Sequence, residues 1–133
     1  MILLDTHAML WRAMDDRRLG RRAARRIDQA LNAGELAVSA FSFWEVALLV
    51  AAGRLQMRAT VDEFRLASLA AGITEIPVDG RIAILSTRLT GMHSDPADRL
   101  IVATALERGA TLVTADAKLL ALAAGPDCLD AQT

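Results

Sequence analysis

Four carboxylates stand where strand-like runs give way to helices. Asp5 follows the apolar run Ile2-Leu3-Leu4, and Asp116 lies just past Thr111-Leu112-Val113. Asp98 falls in the first turn of a helix opened by Asp95 and Pro96, a cap followed by the residue suited to the first helical position. Glu45 falls in the first turns of a helix that follows Leu36-Ala37-Val38. In an open α/β sheet, sites form outside the carboxyl ends of the strands. Acids gathered there repel one another unless a cation neutralises them. Hard oxygen donors suit Mg²⁺ or Mn²⁺, and the chain offers one cysteine, Cys128, and no histidine pair at ligand spacing.

Each acid also has a purely structural reading. Asp5 sits where a helix cap sits, and its position alone favours neither role. Ser42-x-x-Glu45 matches a capping box, and taken alone that reading of Glu45 is the favoured one. His7 is expected to hydrogen-bond locally rather than to bind metal.

The elements that must place these acids follow along the chain. A helix over 8–14 carries Leu10 and Trp11. An amphipathic helix over 17–31 has the stripe Leu19, Ala23, Ile27 and Leu31. A helix over 39–52 is apolar nearly all round and stops at Gly53. Thr60-x-x-Glu63 is a capping box opening a helix through 71, with Phe64, Ala67, Leu69 and Ala70 on its apolar face. A strand over 73–78 carries Pro77 near its end, which suits an edge. A helix over 79–89 turns Ile82, Ala83 and Leu85 inward. The helix bearing Asp98 stops at Gly109, and a short helix over 118–123 leads to a last edge strand at Cys128-Leu129. Strands alternating with helices predict one α/β domain over 1–133, with a short, mainly parallel central sheet flanked by helices.

With 133 residues, 53% of them hydrophobic, the chain can bury a real core and is not disordered. Its longest apolar run, 46–52, is too short to span a bilayer. No basic segment precedes Ile2, so no signal peptide is expected, and a reducing cytoplasm suits the single cysteine. The helix over 39–52 is too apolar to be buried whole in so small a domain, so part of it is expected in a protein interface. The net charge of −1 does not point to nucleic acid, but it hides the distribution. Arg17, Arg18, Arg21, Arg22, Arg25 and Arg26 follow one another with no acid between them, which suggests a phosphate-contacting surface.

The strings L-L-D-T-H-A-M-L-W at 3–11, V-S-A-F-S-F-W-E at 38–45, H-S-D-P-A-D-R-L-I-V-A-T-A at 93–105 and L-V-T-A-D at 112–116 occur in this order over essentially the whole chain. Together they resemble the PIN-domain ribonucleases, and closely the VapC-type toxins of prokaryotic toxin–antitoxin pairs. The resemblance implies an acidic site of Asp5, Glu45, Asp98 and Asp116 holding Mg²⁺ or Mn²⁺. It matches Thr6 and Thr114 to hydroxyl positions that orient the ligands, and Arg99 to a supporting position. Asp95 and His93 also match, Asp95 being read as a cap or outer residue. Relatives often carry a basic residue where this chain has Ser94, which bears on local substrate contacts only.

The activity implied is metal-dependent endonucleolytic cleavage of RNA, with water as nucleophile, leaving a 5′-phosphate and a 3′-hydroxyl. With the four site acids neutralised, the remaining formal charge is +3, so the acidic pI does not exclude RNA. The resemblance also implies an antitoxin partner seated on the apolar helices within 41–71, and a homodimer. One rival is a non-catalytic PIN-like domain that binds RNA or a partner; the loss of a site acid would favour it, and none is lost. A receiver-like or phosphatase-like domain is the other. His7 stands where such a phosphatase needs its second acid, and Lys118 has the wrong spacing for a receiver.

Overall fold

The computed structural model describes all 133 residues. In chain order they form β1 (Ile2–Leu4), α1 (Thr6–Ala13), α2 (Arg21–Asn32), β2 (Leu36–Ser39), α3 (Ala40–Ala51), α4 (Val61–Ala70), β3 (Thr74–Ile76), α5 (Gly80–Thr87), α6 (Pro96–Arg108), β4 (Thr111–Thr114), α7 (Ala117–Leu120) and β5 (Cys128–Asp130). The strands make one fully parallel sheet in the order β3-β2-β1-β4-β5. Central β1 pairs on both sides, Leu4 lying opposite Val38 and Val113. The chain builds outward from β1 to β3, then α5 and α6 carry it back to β4. The winding direction therefore reverses between β1 and β4, and a crevice opens there at the carboxyl ends of the strands.

Parallel strands buried on both faces need apolar side chains on both, and these have them. On one face Leu4, Val38 and Val113 pack with Trp11, Ile27, Val46 and Phe64 of α1 to α4. On the other, Leu3, Ala37 and Leu112 pack with Ile82, Ile101, Val102 and Leu119 of α5 to α7. The two expected edges are in place: Pro77 follows β3 at one side, and β5 closes the other.

Several expected details differ. The arginine-rich helix begins at Arg21, not at 17. Asp16 accepts from the backbone N–H of Arg18 at 2.9 Å and holds residues 16–18 in a turn, and Asp15 is left-handed (φ 51°). Arg17 and Arg18 are thus off the helix. Leu31 is only partly buried, and Ala30 takes its place in the stripe. Ala83, Ala67 and Ala70 are exposed, while Ser86 and Ser68 are buried in the same helices. Each serine hydroxyl donates to a carbonyl of its own helix, Ser86 to Ala83 at 2.6 Å and Ser68 to Phe64 at 2.9 Å. A small hydroxyl satisfied in this way is as buriable as alanine.

Candidate active site

All four predicted acids line one cleft of 380 Å³ at the crevice between β1 and β4. Asp5 ends β1 and caps α1, its Oδ1 accepting from the Ala8 N–H at 2.8 Å. The two readings of this residue are therefore compatible: capping fixes the carboxylate that lines the cleft. Asp116 likewise follows β4 and caps α7, accepting from the N–H of Lys118 at 2.8 Å. Asp98 comes from the first turn of α6, whose cap is Asp95. Asp95 lines the cleft too, together with Thr6, His7, Trp11, Ile101 and Ala115.

Glu45 is not part of a capping box. Ser39 is the residue that caps α3, accepting from the Phe41 N–H at 3.1 Å, which leaves Ser42 and Glu45 inside the helix. Both turn toward α1. Thr6 Oγ1 lies 2.9 Å from Ser42 Oγ and 2.6 Å from Glu45 Oε1. A hydroxyl has one proton to give, so Thr6 donates to the carboxylate and accepts from Ser42. That chain of bonds aims Glu45 across the gap between α1 and α3. Thr114 lies on the other side: its Oγ1 accepts from the Asp116 N–H at 3.1 Å, and its hydroxyl favours the charged form of Asp5.

The electrostatics are those of acids short of positive charge. Burial pushes the Asp5 carboxyl up, against the hydrogen bonds from Thr114 and Ala8. Burial also raises Glu45, against the bond from Thr6. Asp98 is pushed up to about 6, by burial first and then by the charges of Asp95 and Asp116, with His93 opposing. No lysine or arginine lines the cleft.

These residues fit a hard divalent cation. Ligand atoms of His93, Asp98 and Asp116 all lie within 4.8 Å of one another, and Asp5 and Glu45 line the same cleft. His93 is the neighbour that spacing did not single out. Its Nε2 is 3.2 Å from Asp98 Oδ2, and this buried nitrogen makes no hydrogen bond. Its Nδ1 accepts from the Asp95 N–H at 3.3 Å, which puts the ring proton of a neutral histidine on Nε2. Held so, His93 lies against Asp98 at the edge of the cleft, within reach of the same cation as Asp98 and Asp116. The signal for it was the cap at Asp95, which folds the preceding loop back over the first turn of α6.

The remaining predicted residues lie elsewhere. Arg99 points away from the acids and donates to the carbonyls of Ser86, Leu89, Met92 and His93 at 2.9–3.3 Å, tying the 88–94 loop to α6. Arg17, Arg21, Arg22 and Arg25 are exposed and line no part of the cleft. Arg26 borders the opposite end of the sheet, beside Met1, Glu35 and Thr111. Arg18 pairs with Asp16 and covers Trp11, its guanidinium carbon 5.0 Å from the ring centroid. His7 makes no hydrogen bond through its ring; it lies exposed with its ring 6.5 Å from Trp11.

Comparison with known proteins agrees with this architecture. The chain is 37% identical over 119 residues to Ribonuclease VapC22 of Mycobacterium tuberculosis (strain ATCC 25618 / H37Rv), covering 89% of this chain and 88% of that one. Among solved structures, it is similar to a chain of a toxin–antitoxin complex from Klebsiella pneumoniae (TM-score 0.64, 25% identity, 98% and 97% of the two chains). A chain of VapBC2 from Rickettsia felis, bound to a DNA fragment from the promoter, shares the fold at 16% identity (TM-score 0.71, 97% and 98%). The PIN domain family matches residues 2–125, nearly the whole sheet and every acid of the cleft. The chain therefore belongs to the PIN domain family.

Proposed function

We propose that this protein is a divalent-metal-dependent endoribonuclease, the toxin of a toxin–antitoxin pair, that hydrolyses RNA to 5′-phosphate and 3′-hydroxyl ends. The observation that carries the reading is the convergence of Asp5, Glu45, Asp98 and Asp116 on one cleft at the sheet's reversal point. The 37% identity to a ribonuclease supports the same substrate.

Asp5, Glu45, Asp98 and Asp116 would hold Mg²⁺ or Mn²⁺. When bound, the cation supplies charge stabilisation at the phosphate and lowers the pKa of a water. Asp5 and Asp116 are fixed by the helix N-termini they cap, and Glu45 by Thr6, so the donors are set before substrate arrives. Without a cation, five acids including Asp95 would repel a phosphodiester from this cleft.

The antitoxin would dock on α3 and α4. α3 exposes Trp44 (53%) and Leu48 (49%), α4 exposes Leu66 (61%), and Phe41 stacks on Trp44 at 4.7 Å. An apolar face of this kind suits a partner helix or strand. Pairing with a second copy of the chain is part of the same proposal. No helix is long and apolar enough to cross a membrane, and the enzyme is assigned to the cytoplasm, where its RNA is.

The test is cleavage of a mixed RNA pool in Mg²⁺, Mn²⁺ or EDTA, with Asp98→Asn beside the wild type and the product ends identified. Metal-dependent cutting that leaves 5′-phosphates and disappears in the variant is expected. Cutting that persists in EDTA, or in Asp98→Asn at the wild-type rate, would overturn the reading.

A further inference from the structure

No lysine or arginine lines the acidic cleft, so basic side chains that contact an RNA strand must lie beside it. A second cleft of 280 Å³ adjoins it, and His7 and Trp11 line both. Its floor includes Leu10 of α1 and Leu49 of α3, and its cations are Arg18 and Arg54. Of the chain's arginines and lysines, these are the only two that border either of these joined clefts.

The two arginines are prepared differently. Arg54 is exposed and makes no ion pair, so its full charge is free. Arg18 is locked: its Nε and one terminal nitrogen donate to the two Asp16 oxygens at 3.1 and 2.8 Å, and one face lies on Trp11. Its side chain is still 62% exposed, so the other face of the plane is open. Asp16 has largely neutralised it as a charge, while a rigid guanidinium plane is a platform on which nucleobases stack.

We propose that this groove is the subsite for the nucleotide flanking the scissile phosphate. Its base stacks on Arg18, and a phosphate of the strand meets Arg54. The proposal rests on the ribonuclease reading and assigns RNA contact to Arg18 and Arg54 rather than to the exposed row of Arg21, Arg22 and Arg25 on α2. Single-stranded RNA is the form that can enter, because only an unpaired base is free to stack.

The experiment titrates a 5′-fluorescein single-stranded RNA with the full-length protein in Ca²⁺, a hard cation suited to a carboxylate cleft, checks on a gel that the strand stays intact, and repeats the titration over a range of salt. Arg54→Ala should weaken binding at least about fivefold and lower the slope of log affinity against log salt by about 0.7, the loss of one phosphate contact. Arg18→Ala should weaken binding at least about fivefold with the slope nearly unchanged. Arg18→Lys should not rescue it, since an ammonium has no plane. Arg21→Ala should bind as wild type, and unchanged melting curves would exclude misfolding.

Equal RNA binding by wild type, Arg18→Ala and Arg54→Ala overturns the proposal. So does an equal loss in Arg21→Ala. Weakened capture of the antitoxin with RNA binding intact overturns it too, and makes the groove a protein-docking surface. Parallel cleavage assays in Mg²⁺ separate this from the enzyme assignment. A protein that cuts RNA but ignores both arginines keeps the nuclease and loses the subsite. One that never cuts, yet loses RNA binding through them, keeps the subsite and loses the nuclease.

Discussion

Replacing Asp98 by Asn should stabilise the metal-free protein. The folded state holds this carboxyl at about 6 against an ordinary 3.8. Between those values the native protein binds more protons than the unfolded chain, so stability falls as pH rises through this window and the full cost is present above it. Taken at face value the gap is worth about 3 kcal/mol. Asp98 keeps 26% of its side chain in contact with solvent, and screening there reduces the figure to about 1–1.5 kcal/mol. For a domain of 133 residues that corresponds to a rise of about 4–5 °C in Tm. Thermal melts followed by circular dichroism in EDTA read it directly: a clear gain at pH 8, a smaller one at pH 5, none below the ordinary carboxylate value. Mg²⁺ should raise the wild-type Tm and close the gap, because a ligand that binds only the folded state adds its own stabilisation. An Asn variant that melts at or below the wild-type temperature at pH 8 in EDTA would refute the electrostatic account of the cleft.

Asp5 carries two duties that separate by substitution. Asp5→Asn keeps a cap on α1 and should lose metal-dependent cleavage with no loss of Tm, whereas Asp5→Ala should lose cleavage and be about 1 kcal/mol less stable than Asp5→Asn; denaturant titrations of both distinguish them. Thr6→Val keeps the shape but frees Glu45, so activity should fall roughly 10–100-fold, with the metal concentration needed for half-maximal rate rising in step. Arg99→Met removes charged donors from the Ser86 carbonyl of α5 and three loop carbonyls and should cost about 2–3 kcal/mol in urea unfolding. If Arg99→Met leaves the urea midpoint unchanged, the tie between α5, the loop and α6 is not structural.

The sheet and the placement of the acids were legible in the sequence because they rest on strong local signals. Short apolar runs ending in Asp mark β1 and β4, and Asp95-Pro96 with a left-handed Gly109 brackets α6. What was not legible depended on partners far along the chain. Ser42-x-x-Glu45 has the spacing of a cap, yet Ser39 takes that role because β2 runs straight into α3 and leaves Ser42 facing Thr6. The arginine run reads as one helix until the Asp16 side chain closes a turn on Arg18. Ser68 and Ser86 are buried because their protons have carbonyls to meet, a fact that a hydrophobic pattern does not encode. His93 becomes a neighbour of Asp98 only once the loop is folded back and tied by Arg99.

The reversal between β1 and β4 has a consequence for the chain as it is made. Asp5 and Glu45 come from the first half of the sequence, Asp98 and Asp116 from the second, and Asp116 reaches the other three only when β4 docks on β1. A growing polypeptide can complete β1, β2 and β3 with half its acids in place and still have no site. The strand that finishes the site is the next to last to be added. The cleft is therefore completed only when synthesis is nearly over, and a chain cut short before Thr111 lacks both β4 and Asp116.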